Sequence, residues 1–359
     1  MIIDYIIYIY VATCILMILY NFIYMYKSKI LDSMIQKYKI QFSVMLSKEF
    51  EHLKQEEPVS KAHIKMLQKK LLSLNSLIAY MDALKEYNTN PYLQSYLYQI
   101  SSAQQYLALK YIRKNDMYKS FFAYSISLYP PNFRNEYRPL LEILVGYLDH
   151  SSIYCRENVL KALYSIGNIH AVEMAFQFMN DHDLYHHPKL LADGLATFNG
   201  DKQALCSTLW NHIKDWDENL MLAIIYFIST SSDNFKEIFF PYVTSSHTHP
   251  EIRLEILRYY RRHSYEPMKE YLFQLLESDE DVNLKIVASS VLSQYAGKDT
   301  IDHLKRALCH QNWYVRYNAA QSLIALKTPK KELLDILHGT DRYAKEMLQY
   351  MFEHEEVKS

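Results

Sequence analysis

Taking Cys155, His187, Leu220, Ile252, Val282, Val315 and Tyr343 as anchors, the chain repeats at spacings of 32, 33, 32, 30, 33 and 28 residues. Four residues after each anchor stand Val159, Leu191, Ile224, Ile256, Ile286, Ala319 and Met347, and five after stand Leu160, Ala192, Ile225, Leu257, Val287, Ala320 and Leu348. Both columns are apolar throughout. The eighth position adds Leu163, Leu195, Ile228, Tyr260, Leu323 and Met351, with Ser290 as the exception. Positions 0, 4, 5 and 8 lie on one side of an α-helix, so each window predicts one helix with one buried stripe. Apolar segments at 140–148, 204–213, 271–276 and 301–308 precede several of these helices and supply a partner for each. A two-helix unit cannot bury its own apolar face. Stacking such units end to end makes a continuous core, the arrangement of an α-solenoid.

HPEIRLEIL (249–257), DEDVNLKIVASSVL (279–292) and NWYVRYNAAQSL (312–323) resemble the HEAT-repeat family, and the resemblance covers roughly residues 135–355. Arg156, Arg253 and Arg316 stand where the family carries an Arg just after the anchor, whereas Pro188, Met221, Asn283 and Ala344 depart from it. The resemblance implies an all-α fold, a right-handed α-solenoid of HEAT-like helix pairs, with the second helix of each pair lining the concave face. It specifies architecture rather than activity. The outward positions three and six after each anchor then form a mixed ladder. Its centre is Tyr226, Glu255, Arg258 and Lys285, an aromatic group beside both charge signs and the expected protein-contact site. The repeat Arg residues are expected to donate hydrogen bonds within the array.

Tyr5 to Tyr26 is a run of 22 uncharged residues. As a helix it measures about 33 Å, close to the hydrocarbon thickness of a bilayer. No Lys or Arg precedes the run and no small-residue cleavage site ends it, which speaks against a cleaved signal peptide. Lys27, Lys29, Lys37 and Lys39 follow it with only Asp32 to offset them, while Asp4 is the charged side chain before it. The positive-inside bias places the C-terminal body in the cytoplasm of a single-pass cell-membrane protein. Next comes an apolar stripe at Leu31, Ile35, Tyr38, Phe42, Leu46, Phe50 and Leu53, ended by Glu56-Glu57-Pro58. A second stripe runs Ile64, Leu67, Leu71, Leu74, Ile78 and Met81, with Ser60 as a candidate N-cap. The two helices are expected to pair as a hairpin, the alternative being self-association into a membrane-proximal bundle. Residues 92–127 again read as helical. The organisation is therefore a transmembrane anchor at 1–27, a helical membrane-proximal linker region at 28–130 and the solenoid at 131–359.

Composition narrows the chemistry. Lys plus Arg number 39 against 40 Asp plus Glu, a net charge of -1, which withholds the basic excess common in nucleic-acid binders. No two of the six glycines, all at or beyond Gly146, are close enough to cradle a phosphate. Cys14, Cys155, Cys206 and Cys309 form no CxxC pair, which fits a reducing compartment. The densest His clusters, 182–187 and 247–249, fall in inter-helix turns without further ligands at metal-binding spacing. Cys309-His310 is likewise a turn, and Asp279-Glu280-Asp281 reads as a helix-start cluster that caps backbone N–H groups. No catalytic, cofactor-binding or metal residue is assigned, and no cofactor is expected.

The expected function is a membrane-tethered cytoplasmic scaffold or adaptor that binds a membrane-associated protein partner, with regulation of a membrane-embedded enzyme as one role. It is expected not to be an enzyme. Its partners are that protein and the lipid bilayer along residues 5–26, with no nucleic acid. The competing readings are a HEAT-like enzyme, which would need a buried His or carboxylate facing a closed pocket, and a nucleic-acid-binding solenoid, which would need a basic groove.

Overall fold

The computed structural model describes residues 2–131, 138–279 and 281–356, and side chains for those between 5 and 353. The Asp4 side chain and Glu280 lie outside the described residues. Among the described residues the chain is all-helical, with twenty α-helices and no strand. It forms two compact units, Met1–Met179 with Phe198–Gly200, and Asn180–Thr197 with Asp201–Ser359.

The first unit is built on α1 (Ile2–Lys54), a single helix of 53 residues. The sequence reading separated an anchor from the stripe after it, but no Gly or Pro interrupts the chain before Pro58, so the helix has no reason to stop. Its first half is long and apolar enough to cross a membrane, and its side chains from Tyr5 to Tyr26 are almost all exposed. Burial begins at Phe42 and continues through Leu46, Glu49, Phe50 and Leu53, while Leu31 and Met34 stay outside. The expected stripe therefore packs only along its last turns. The cause is the length of its partner, because α3 (Leu74–Leu84), which packs on α1, has only 11 residues.

The second stripe is broken in two. α2 (Lys61–Lys70) begins at Ser60, whose hydroxyl accepts the His63 N–H at 3.2 Å as the expected cap. It ends at Leu71, and the chain turns before α3. α4 (Leu93–Gln99), α5 (Ser101–Tyr111) and α6 (Asp116–Leu128) divide the helical stretch after residue 92. α7 (Arg138–Gly146), α8 (Ile153–Ile166) and α9 (Ile169–Asp181) follow. α3 packs on α6 and α6 on α8, while α2 packs on α5 and α5 on α7. Two parallel stacks of alternate helices result, so the pairing logic read from the repeats already operates upstream of the first anchor.

The second unit holds α10 (Pro188–Ala196), α11 (Lys202–Asn211), α12 (Glu218–Ser231), α13 (Lys236–Thr244), α14 (Pro250–Tyr259), α15 (Pro267–Glu277), α16 (Val282–Val291), α17 (Lys298–Leu308), α18 (Trp313–Ala325), α19 (Leu334–Leu337) and α20 (Arg342–Glu356). Each anchored helix from α12 to α18 packs on the helix before it, and α10, α12, α14, α16, α18 and α20 stack on one another in that order. Columns four, five and eight are buried in α10, α12, α14, α18 and α20. The helix starts are set by side-chain caps: Asp217 accepts the Leu220 N–H at 2.8 Å, Asn312 the Tyr314 N–H at 2.8 Å and Asp281 the Asn283 N–H at 3.0 Å. The His187 ring accepts the Lys189 N–H at 3.2 Å, so this anchor is a cap outside the core.

One anchor is corrected. In α16 the buried residues are Leu284, Ala288, Ser289 and Val291, followed by Leu292, whereas Val282, Ile286, Val287 and Ser290 are only half-buried. The repeat register therefore starts at Leu284. The spacings on either side become 32 and 31 in place of 30 and 33, and the polar Ser290 at position eight gives way to Leu292.

A buried polar chain closes the base of α1. Glu49 accepts the Ser60 N–H at 2.9 Å and the Ser60 hydroxyl at 2.8 Å, and its carboxylate lies 3.7 Å from His63 Nδ1. His63 Nε2 is 2.8 Å from the Tyr96 hydroxyl, which is 3.0 Å from the Tyr80 hydroxyl. Burial holds the His63 pKa below its ordinary 6.5, against an opposing pull from Glu49. The unfolded chain therefore takes up this proton first: the stability present above the unfolded value is lost as pH falls from 6.5 towards the lowered folded value. Thermal melts should show a loss of up to about 1.4 kcal/mol per pH unit in that window, and His63→Gln should flatten it. Identical pH dependence in the two proteins would refute the assignment.

Candidate functional site, a basic cleft on three stacked helices

Repeat cations hold the turns that precede the anchored helices. Arg253 Nε donates to the Val243 carbonyl at 3.1 Å and its Nη2 to the Tyr271 hydroxyl at 2.8 Å. Arg316 Nη1 donates to the His310 and Gln311 carbonyls, both at 2.8 Å, and Arg156 Nη2 to the Ser151 carbonyl at 3.3 Å. These are the intra-array donors the sequence led us to expect. With the register started at Leu284, Lys285 takes the same place one residue after the anchor, and its ammonium donates to the Ser278 carbonyl. Lys285 is half-buried, and it is not brought together with the other three contact candidates.

Tyr226, Glu255 and Arg258 do converge. They line a cleft of about 470 Å³ formed by α10, α12, α14 and the turn after it, together with Lys189, Ala192, Asp193, Ala196, Ser229, Thr230, Arg261 and Arg262. The whole cleft lies inside the second unit. The expected outward ladder needs one adjustment, because position six is directly opposite the buried stripe while position three is on its flank. Asp193 and Arg258, at position six, are exposed, whereas Ala223 and Glu255, at position three, are buried. Asn318 at position three instead donates to the Ile286 carbonyl of α16 at 2.9 Å.

Glu255 is 5% exposed, which forces it to find partners. Arg258 Nη1 donates to its carboxylate at 2.9 Å, and the Tyr226 phenol lies beside it in the cleft. Burial pushes the Glu255 carboxyl above the ordinary carboxylate range, with Arg258, Tyr226 and Arg262 pulling the other way. Burial and the Glu255 charge raise the Tyr226 phenol. Ser229 and Thr230 donate to backbone carbonyls of their own helix, at 2.8 Å to Ile225 and 3.0 Å to Phe227. The charged groups of the cleft left without a hydrogen bond or ion pair among the described residues are Lys189, Arg261, Arg262 and Asp193.

Lys189, Arg261 and Arg262 escaped the sequence reading, which stopped at position six. The signal was present in RYYRRH (258–263), where Arg258, Arg261 and Arg262 stand at i, i+3 and i+4 and so share a side of a helical turn.

Other candidates offer less. Partial burial, with Asp341 and Asp335 nearby, raises the Cys309 thiol, the opposite of what a thiolate nucleophile needs. His249 Nδ1 lies 2.9 Å from the Glu218 carboxylate. Among the described residues no group of three or more His, Cys, Asp or Glu is placed to hold a metal ion.

The HEAT-repeat family model matches residues 270–351. This stretch of the chain is made of HEAT repeats. Its matched helices, α15 to α18 and α20, carry the same stacking as α10 to α14. No curated protein matches the sequence. Among solved structures, human deoxyhypusine hydroxylase in complex with glycerol is similar at 16% identity and a TM-score of 0.30, over 82% of this chain and 96% of that one. At that score the likeness carries no argument about what this chain does. It does correct one expectation, that the chain is not an enzyme: a protein similar to it is itself a hydroxylase, so the helical-repeat resemblance gives no ground for setting catalysis aside.

The role given to the repeat cations has a measurable consequence. Arg253→Met should lower the unfolding free energy by about 2–3 kcal/mol and Lys285→Met by about 1–2 kcal/mol, with Lys285→Arg close to wild type. Denaturant midpoints check this, and a neutral Lys285→Met would remove the structural role assigned to that ammonium.

Proposed function

We propose that the chain is a membrane-tethered cytoplasmic scaffold: α1 crosses the bilayer along residues 5–26, and the repeats bind a membrane-associated protein partner whose activity the contact regulates. The observation that carries this reading is the double role of α1, apolar and uncovered in its first half and built into the core of the first unit from Phe42 onward. Tyr26 and Phe42 are separated by about 24 Å of unbroken helix. A tether of this kind confines the body to a thin layer beside the membrane, raising its effective concentration towards a target in the same bilayer without a tight isolated interface. Lys27, Lys29 and Lys37 are exposed beyond the apolar run, as a cytoplasmic flank requires, whereas Lys39 is paired with Glu86 at 3.0 Å.

The cleft supplies the contact surface, with Tyr226 as a half-buried aromatic group among charges. In sealed vesicles of cytoplasmic-side-in orientation the C-terminal body should resist added protease, and its digestion from outside would refute the topology. Crosslinking in native membranes followed by pull-down should recover a recurrent protein, and recovery should fall several-fold for Tyr226→Ala with Arg258→Gln. Undiminished recovery by a double variant with wild-type helicity would remove the cleft from the contact.

A further inference from the structure

We infer that the cleft on α10, α12 and α14 binds an acidic peptide segment, its carboxylates taken by Lys189, Arg261 and Arg262. This rests on the scaffold reading and names the chemistry of the segment the scaffold holds.

The arrangement begins in the sequence RYYRRH. Tyr259 and Tyr260, between the arginines, are both fully buried. The Tyr259 hydroxyl accepts the Phe235 N–H at 3.2 Å, and the Tyr260 hydroxyl donates to the Lys236 carbonyl at 2.5 Å. With the tyrosines fixed inward, helical geometry turns Arg258, Arg261 and Arg262 out towards the cleft. Lys189 reaches the same cleft from α10. A cation at the end of α14 would be favoured by the helix dipole alone, but that accounts neither for Lys189 on another helix nor for three arginines within five residues.

The charges do not cancel inside the protein. Arg258 is committed to Glu255. The side chains of Lys189, Arg261 and Arg262 make no hydrogen bond or ion pair with any described residue, and the remaining carboxylate lining the cleft is Asp193. Besides the Arg258–Glu255 pair, three cations face one acid, with Arg262 also felt by Glu255. Guanidinium groups bind carboxylates bidentately and are weakly hydrated, so a carboxylate-rich chain gains both directional bonds and charge neutralisation there. Ala192 and Ala196 leave room on the α10 side, and about 470 Å³ accommodates a few side chains of an extended segment.

The same details disfavour a nucleic acid. Tyr226 is the single aromatic ring lining the cleft, which leaves no row of rings for base stacking.

The test is fluorescence anisotropy with the full chain in lipid nanodiscs, using a fluorescein-labelled peptide of about twelve residues rich in Glu and Asp. A Lys-rich peptide and a single-stranded oligonucleotide of matched length are the comparison probes. The acidic peptide should bind, weaken with added salt, and lose at least about tenfold in affinity with Arg261→Glu plus Arg262→Glu. Arg261→Gln plus Arg262→Gln, which introduces no new charge, should show a smaller loss in the same direction. The Gln variant should keep the wild-type melting temperature within a degree or so, since neither side chain has a hydrogen bond or ion pair to lose, whereas the Glu variant sets a negative charge near the buried Glu255 and should melt slightly lower while remaining folded. No binding of the acidic peptide, equal binding by wild type and the Glu variant, or tighter binding of the oligonucleotide would each overturn the inference. The scaffold reading is scored separately: a crosslinked partner recovered without acidic-peptide binding leaves the scaffold and removes the inferred ligand.

Discussion

Everything in the second unit depends on one constraint: a helix pair of this composition exposes an apolar stripe that only the next pair can cover. Ile224, Ile225 and Ile228 on α12 are fully buried, as are Ile256 and Leu257 on α14, because α12 and α14 lie against each other and against α10 and α16. Stability in such an array is the sum of each pair's own packing and its interfaces with its neighbours. The polar features answer to the same stacking. Caps end the helices where the next unit begins, and a cation one residue after the anchor binds the turn carbonyls that stacking would otherwise leave exposed beside a buried edge. Lys285 in that role shows that, where this position carries a cation, a long ammonium serves as well as the guanidinium of Arg156, Arg253 or Arg316.

That constraint explains what could be read in advance. Columns with a fixed period are visible because burial acts on each window alike, so Val159, Leu191, Ile224, Ala319 and Met347 line up in the letters alone. The misread anchor has the same origin. Val282 and Leu284 are both apolar, and the helix containing them also offers Ile286 and Val287, so two stripes fit the letters and only packing against α14 and α18 selects Leu284. Alternation across a helix end was less legible. Arg261 and Arg262 follow the last regular residue of α14, Tyr259, where a periodic template stops, although the buried tyrosines before them carry the geometry onward.

The first unit shows how far composition can mislead about boundaries. Leu31 and Phe42 belong to one stripe by spacing, yet one is exposed and the other is core, because a helix longer than its partner must leave part of its stripe uncovered. The stretch from Lys27 to Ile40, mostly exposed, joins the apolar segment to the packed end without a hinge. Any tilt of the apolar half is therefore transmitted to the packed part of the first unit, without the freedom a flexible linker would allow.

A net charge of -1 for the whole chain says little about the surface a partner meets. Some opposite charges are spent locally: Arg138 on Glu142, Arg342 on Glu346, Arg306 on Glu277, Lys305 on Asp335. Exposed pairs of this kind contribute little to stability, but each removes a charge from the field seen at a distance. Lys189, Arg261 and Arg262 remain outside this local cancellation while sharing one cleft. A neutral chain thus presents a positive site, and it is the pairing pattern, rather than the composition, that gives the site its sign.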